Sequence, residues 1–182
     1  LYGSDGLAGV VSFTTSDPSD LLEGGKQVGG FARAQYNSSD NELSETAAIA
    51  GRSGSVSAMI AYTRRDFNEL KNKGTVDGIG ESRTKPNPQD GQSDALLGKL
   101  VWENGGHRLR LTGEYLQREL HSDVLTGEGP AFLFGPTPSW IVDSLTADDE
   151  TERRRVSLDW TWEAGSDASA IEYAHIAAYW QD

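Results

Sequence analysis

Few side chains in this sequence are of the types that catalyse reactions or bind metals. The three histidines, His107, His121 and His175, lie far apart along the chain. The chain contains no cysteine, which excludes disulfides, thiolate catalysis and cysteine-ligated metals. His121 stands where a strand-like segment enters a long loop, so it is the histidine placed to bind an external ligand. The alternative for His121 is a solvated residue at the base of that loop.

Charged side chains cluster most densely between residues 148 and 155. The cluster consists of Asp148, Asp149, Glu150, Glu152, Arg153, Arg154 and Arg155. The carboxylates could bind a divalent cation, but the run lacks the glycine and the alternating spacing of a calcium loop. The arginines, together with Arg52, Arg64 and Arg65, could bind lipopolysaccharide phosphates or haem propionates. Local charge pairing at a solvated rim is the simpler interpretation.

Three glycines, Gly3, Gly6 and Gly9, recur at a spacing of three near the start of the chain. This spacing differs from the G-x-G-x-x-G phosphate loop, and no Lys-Ser/Thr pair or helix-opening pattern follows it. Residues 51–54 likewise do not match the G-x-S-x-G nucleophile motif. The sequence contains no catalytic constellation, and we predict that the protein is not an enzyme.

The composition narrows the function classes further. The net charge of −12 argues against nucleic-acid binding, which requires a basic surface. Hydrophobic residues make up 36% of the chain, below the usual level for a soluble domain. No apolar run approaches the ~18 residues of a membrane-spanning helix, which excludes a helical membrane protein but leaves a barrel of alternating strands open.

From residue 27 onward the pattern predicts seven strands and almost no helix. The predicted strands cover residues 27–36, 43–52, 56–67, 95–102, 107–120, 151–163 and 168–182. The fifth is the clearest, since Leu109 and Leu111 alternate with Arg108 and Arg110. Other strands contain exceptions to the alternation, which are Met59, Leu97 and Val101.

The connections between these strands alternate in length. Tight turns at residues 52–55, 103–106 and 164–167 alternate with loops at 37–42, 70–93 and 122–149. Tight turns at one rim and longer loops at the other are typical of outer-membrane β-barrels. Three tryptophans, Trp102, Trp160 and Trp162, adjoin the tight turns, where an interfacial aromatic girdle would lie. The alternative is a soluble β-sandwich with its charged faces in water.

The opening residues carry a resemblance to a known family. Residues 1–13, LYGSDGLAGVVSF, resemble the close of the plug domain in TonB-dependent outer-membrane receptors. Residues 14–22, TTSDPSDLL, look most like the haem and haemoglobin receptor branch of that family. The remaining residues match the family only in their pattern of strands and loop lengths.

The resemblance implies a domain organisation. Residues 1–22 would be the end of the plug domain, with Gly3, Gly6 and Gly9 in its structural turn. Residues 23–26 would be a linker, and residues 27–182 would be the first strands of the barrel. The implied fold is all-β: an antiparallel transmembrane β-barrel portion, about seven strands of a 22-stranded barrel. Seven strands cannot close, so we expect the chain to be a fragment of a larger polypeptide.

The resemblance also implies a function. We expect a receptor of the Gram-negative outer membrane that takes up haem, from haem or haemoglobin-like carriers, with energy supplied by TonB. The expected partners are the TonB complex, the haem protein, and outer-membrane lipid with lipopolysaccharide, and haem is the transported ligand rather than a cofactor. The family's haem-binding histidines match no position here, so His121 is the sole candidate ligand-binding residue. The alternatives are a siderophore or vitamin receptor, and a soluble all-β binding or carbohydrate-active domain.

Overall fold

A computed structural model describes residues 15–132, 135–165 and 172–182 of the chain. The regular secondary structure of the described part is almost entirely β-strand. The strands are β1 (Val28–Asn37), β2 (Glu42–Ser53), β3 (Val56–Asn68), β4 (Gln89–Asn104), β5 (His107–Asp123), β6 (Gly129–Ala131), β7 (Trp140–Val142), β8 (Thr146–Glu163) and β9 (Tyr173–Gln181). The helical elements are α1 (Pro18–Leu21) and two 3-10 turns at Glu23–Gly25 and Leu125–Gly127.

Seven of the strands form one antiparallel sheet in the order β1-β2-β3-β4-β5-β8-β9. Each strand therefore pairs with its neighbour along the chain, apart from the short β6-β7 hairpin inserted between β5 and β8. The all-β, antiparallel prediction and the seven main strands are confirmed. None of the helices among the described residues is long and apolar enough to cross a membrane.

Two strands begin earlier than the sequence pattern predicted. β4 begins at Gln89 and β8 at Thr146, six and five residues before the predicted starts at residues 95 and 151. The cause is backbone pairing: Gln89 lies opposite Ser122, and Thr146 lies opposite Asp123. Polar residues in these extensions carry no alternation signal, but the hydrogen-bonded ladder continues through them.

The paired register places two chemically different faces on the sheet, because directly opposed residues project to the same side. We call one the apolar face. Its exposed side chains include Ile49, Val56, Ile60, Leu96, Leu100, Trp102, Leu109, Leu111, Val156, Leu158, Ile176 and Trp180. The other, the polar face, includes Thr46, Ser57, Thr63, Lys99, Arg108, Arg110, Thr112, Glu114, Arg155 and Asp159.

The start of the described chain packs on the polar face. Leu22, directly after α1, is buried against Ala50 and Met59, with Leu97 packed at the edge of this cluster. Met59 and Leu97 are two of the predicted exceptions to the alternation, and Val101, the third, is also buried on this face. Met59 and Leu97 are therefore shielded from water by the segment around α1.

Pro18 begins the short helix α1. Proline fits the first turn of a helix, where its missing N–H has no intrahelical partner. Asp17 is the N-cap residue, and its backbone N–H donates to Asp20 Oδ2 at 2.8 Å. Gly3, Gly6 and Gly9, which we predicted to form a structural turn, lie outside the described residues.

The two rims of the sheet differ as predicted wherever they are described. One rim carries two-residue turns at 54–55 and 105–106, and the other carries loops at 38–41, 69–88 and 124–145. The third predicted tight turn, at 164–167, lies partly outside the described residues. The turn at 105–106 requires glycine, since both residues have positive φ values of 58° and 80°.

Gly106→Ala tests this turn. A Cβ at Gly106 would lie 2.3 Å from the carbonyl oxygen of Glu163, in addition to the unfavourable φ of +80°. We expect a loss of about 1–3 kcal/mol in the free energy of unfolding, measured by urea titration with tryptophan fluorescence. Gly105→Asn is the matched control, because asparagine tolerates positive φ and a Cβ at Gly105 meets nothing within 4 Å. Equal stability of the Gly106→Ala and Gly105→Asn variants would contradict the turn assignment.

Candidate functional site

The most heavily bonded polar group of the polar face is the carboxylate of Asp17. As the N-cap residue of α1, Asp17 is held over β4 and β5 by the packing of Pro18 and Leu22. Lys99 on β4, and Arg108 and Arg110 on β5, project from the same face of the sheet and converge on it. We call these four residues the Asp17 cluster.

Distances within the Asp17 cluster are those of charge-assisted hydrogen bonds. Lys99 Nζ lies 2.8 Å from Asp17 Oδ1, and Arg108 Nη2 lies 2.6 Å from Asp17 Oδ2. Arg110 Nη1 is more distant, at 3.4 Å from the same Oδ2. Lys99 also donates to the carbonyl oxygen of Thr15 at 2.7 Å. One lysine therefore binds both the side chain and the backbone of the segment that precedes α1.

Burial strengthens these contacts. Only 3% of the Lys99 side-chain surface and 19% of that of Asp17 are exposed. Burial alone would raise the pKa of the Asp17 carboxyl, but hydrogen bonds and positive charge from Lys99 and Arg108 outweigh it, so its pKa lies below its ordinary value. Asp17 is therefore ionised at neutral pH, and a buried lysine without it would lack its counter-ion.

The charges around the cluster are balanced. Arg108 Nε lies 2.9 Å from Glu103 Oε1, and Arg110 Nη2 lies 3.6 Å from Asp159 Oδ1. Three cations thus face three carboxylates, with Asp17 contacting all three cations. This arrangement can fix the position of the α1 segment on the sheet, and it contains no nucleophile paired with a general base.

His121 lies on the side of the sheet that carries the apolar face, near the long-loop rim. Its Nδ1 is 2.6 Å from Asp148 Oδ1, and its Nε2 is 3.6 Å from Asp123 Oδ1. Both ring nitrogens therefore contact carboxylates of this chain. The structure places His121 far from the Asp17 cluster, and its role as a ligand-binding residue stays a prediction.

Three of the six arginines noted in the sequence, Arg64, Arg154 and Arg155, form local ion pairs with carboxylates of the sheet. Arg64 lies 2.9 Å from Asp66, Arg155 lies 3.7 Å from Glu114, and Arg154 contacts Glu152. The acidic residues at 148–150 belong to β8, so their side chains alternate between the two faces of the sheet rather than converging.

The long loops form one connected structure rather than separate chains. Asn87 Nδ2 donates to Thr126 Oγ1 at 3.0 Å, and the Thr126 backbone N–H donates to Asn87 Oδ1 at 3.1 Å. The N–H of Gly80 donates to the carbonyl of Leu125 at 2.8 Å. Lys71 Nζ donates to the Ser38 carbonyl at 2.9 Å, which joins the shortest of the three loops to the same assembly.

Large apolar side chains are exposed on this loop assembly. Trp140 and Ile141 on β7 are 52% and 66% exposed, and Phe132, just after β6, is also exposed. The hairpin that carries them is fixed by β6-β7 pairing and by the hydrogen bond from Leu145 N–H to Glu128 Oε1 at 3.1 Å. Exposed aromatic and aliphatic groups on an ordered support are typical of protein-binding surfaces.

The contacts of the Asp17 cluster could not be predicted from the sequence. Asp17 is 82 positions from Lys99 in the sequence, and 91 and 93 positions from Arg108 and Arg110. The sequence does show Lys99, Arg108 and Arg110 as charged residues that alternate with apolar ones, but this pattern does not identify their partner. The sequence also could not predict that Trp140 is exposed, because a short hairpin in a proline-rich loop has no distinct periodicity.

Comparisons with known proteins give partial similarity to iron-source binding proteins. The chain is 39% identical over 69 residues, 38% of its length, to transferrin-binding protein A of Neisseria meningitidis serogroup B. It is 25% identical over 185 aligned residues, 95% of its length, to haemoglobin and haemoglobin-haptoglobin-binding protein A of Haemophilus influenzae. A haemoglobin-haptoglobin-binding protein A of the same species is 34% identical over 59% of the chain.

This chain is similar to parts of iron-source binding proteins. It spans only 8%, 17% and 11% of the lengths of those three relatives. No family model matches the chain. The names of these relatives describe binding proteins, and they name transferrin, haemoglobin and haptoglobin as the bound proteins.

Asp17→Asn tests the Asp17 cluster. The amide keeps the shape of the carboxylate but removes the charge that balances buried Lys99, so the docking of residues 15–22 should weaken by about 2–4 kcal/mol. We expect faster proteolysis at Lys26 and faster hydrogen exchange in α1, with the sheet amides unchanged. Glu23→Gln, which removes an exposed carboxylate nearby, is the control and should have no effect.

The pH dependence of the same docking provides a further check. Because the pKa of docked Asp17 lies below its ordinary value, the cluster's contribution is fully present above the ordinary carboxylate pKa and is lost as pH falls through the lower one. Hydrogen exchange of the α1 backbone amides, corrected for intrinsic rates, should therefore not change between about pH 8 and pH 5, because Asp17 stays ionised over this range. Unchanged α1 protection in Asp17→Asn at neutral pH would contradict the role of the cluster.

Proposed function

We propose that this chain is part of a TonB-dependent receptor of the Gram-negative outer membrane that takes up iron or haem from a carrier protein. The single observation that supports it most is the sheet itself, whose apolar face is exposed and whose polar face binds residues 15–22. The similarity to transferrin- and haemoglobin-binding proteins supports the choice of ligand class.

The apolar face has the dimensions of a membrane-spanning belt. On β8 it runs from Trp162 through Trp160, Leu158 and Val156, and Arg154 follows as the next residue on that side. The apolar residues span seven positions, 156–162, and the row at Arg154, which contains Tyr62, Leu96 and Tyr115, extends the belt to nine, close to the ~9–11 residues that a tilted strand needs to cross a bilayer. Trp102, Trp160 and Trp162 would lie at the tight-turn boundary.

The opposite boundary of the belt carries tyrosines and then charges. Tyr62 and Tyr115 lie in one row across the sheet, with Leu96 between them. The next row towards the loops contains Arg64, Asp94 and Glu152. Such a change from aromatic to charged side chains is typical of the membrane interface.

In this proposal the polar face lines the lumen and residues 1–22 are the end of the plug, with the linker at 23–26 leading to barrel residues 27–182. The Asp17 cluster then fixes the end of the plug to the barrel wall. The tight turns would be periplasmic, and the loops at 38–41, 69–88 and 124–145 would be extracellular. Capture of the carrier protein by these loops would precede TonB-driven rearrangement of the plug and passage of the ligand.

The finer proposal is that the transported ligand is haem, taken from haem itself or from haemoglobin-like carriers. It is supported by the sequence resemblance of residues 14–22 and by the alignment over 95% of the chain to a haemoglobin-binding protein. Transferrin-derived iron is the second candidate, since the relative with the higher identity is a transferrin-binding protein. In both cases the activity is transport and not catalysis.

The exposed hairpin gives the experiment that tests the proposal. The complete polypeptide that carries this chain, displayed on bacteria, should bind labelled haemoglobin, and the double change Trp140→Ala with Ile141→Ala should weaken that binding by about tenfold or more. Labelled transferrin is the competing ligand, and preferred transferrin binding would overturn the haem proposal alone. His121→Gln tests the predicted ligand contact of the imidazole.

Fractionation of the same cells tests the class of protein. Recovery of the polypeptide in the aqueous fraction without detergent would contradict a membrane receptor and favour the soluble all-β binding domain. Binding of neither carrier protein, combined with intact siderophore uptake through the polypeptide, would support the siderophore-receptor alternative.

A further inference from the structure

Two glycines face each other in the middle of the apolar face. Gly98 on β4 is directly paired with Gly113 on β5, with Ile60 on one side of the pair and Val156 and Trp180 on the other. Every other residue of this row from β2 to β9 is a large apolar side chain, Ile49 included. The row is therefore interrupted at its centre by two positions without side chains.

The protein's own packing does not require these glycines. A Cβ at Gly98 or Gly113 would meet nothing within 4 Å, and neither residue has a positive φ. Glycine inside a strand is destabilising by roughly 0.5–1 kcal/mol relative to alanine. A strand glycine without an internal reason often marks the close approach of a ligand or of another backbone.

The glycine pair forms the floor of a groove of about 430 Å³. Its apolar lining consists of Ile60, Leu96, Tyr115, Val156 and Trp180. At the loop-side end, the guanidinium of Arg154 lies 6.0 Å from the ring centroid of Tyr115. Arg154 also pairs with Glu152, and the five N–H donors of a guanidinium allow a second anion to bind beside that carboxylate.

We infer that this groove binds one acyl chain of a phosphate-bearing membrane lipid, with the chain over Gly98 and Gly113 and the phosphate at Arg154. This inference rests on the proposed function, since it requires the apolar face to lie in a bilayer. Charge complementarity supports the lipid: the cation stands at the end of the groove where the apolar belt meets the charged row. An occupant that was only apolar would gain nothing from Arg154.

Photo-crosslinking tests the groove directly. The complete polypeptide is inserted into phosphatidylcholine vesicles that contain a minor fraction of phosphatidylglycerol with a diazirine on its acyl chain. Cross-linked residues are then mapped by mass spectrometry. We expect labelling at Tyr115, Val156 and Trp180 to exceed labelling at Leu109 and Ile176, on the tight-turn side of the belt, by about fivefold.

Three variants identify the determinants of this labelling. Gly98→Leu and Gly113→Leu fill the groove from positions with open space above them and should each lower the labelling at Trp180 by about fivefold. Ala58→Leu adds the same side chain to the apolar face outside the groove, and it should leave the labelling unchanged. Arg154→Gln should abolish the preference for phosphatidylglycerol over a phosphatidylcholine with the same diazirine, whereas Arg154→Lys should retain most of it.

Two results would overturn the inference while leaving the proposed function intact. One is even labelling along the belt in protein that stays with the vesicles, unaffected by either leucine. The other is equal labelling at Trp180 of the unmodified protein by the phosphatidylglycerol and the phosphatidylcholine probes, which would show that Arg154 does not select the lipid. Failure of the polypeptide to associate with vesicles at all would instead overturn the proposed membrane function, and the groove inference with it.

Discussion

The two-residue alternation of the main strands, kept in register across the whole sheet, is the constraint on which the rest of this structure depends. It assigns Lys99, Arg108 and Arg110 to one face and Leu100, Leu109 and Leu111 to the other. A slip of one residue in any strand pair would place charges among the apolar side chains. The short turn at 105–106 and the long ladder between β5 and β8 maintain this register together.

The Asp17 cluster follows from that constraint. Because three cations point from neighbouring strands towards the same point on the polar face, a single carboxylate can contact all of them. The contacts need a segment that places Asp17 over the sheet, and the packing of Leu22 on Ala50 and Met59 provides it. The ion pairs of Asp17 and the apolar packing of Leu22 therefore hold the same short segment on the sheet. Loss of either contact should weaken the other.

The sequence predicted the repeating features well and the convergent ones poorly. Alternation along β5 predicted its two faces correctly, because a period-two pattern is local. The starts of β4 and β8 were missed because pairing with β5, not side-chain pattern, extends them. Met59 and Leu97 looked like irregularities until the structure placed α1 above them. Contacts such as Asp17 with Lys99 join residues 82 positions apart, and no local pattern specifies them.

The central claim is that the apolar face of the sheet contacts lipid while the polar face does not. A nitroxide scan of residues 154–162 on β8, in the complete polypeptide inserted into vesicles, measures this most directly through collision with oxygen and with a water-soluble nickel reagent. Oxygen accessibility should be high at Val156, Leu158 and Trp160 and low at Ser157 and Asp159, with a period of two. High accessibility to the nickel reagent at Val156, Leu158 and Trp160 would contradict the account.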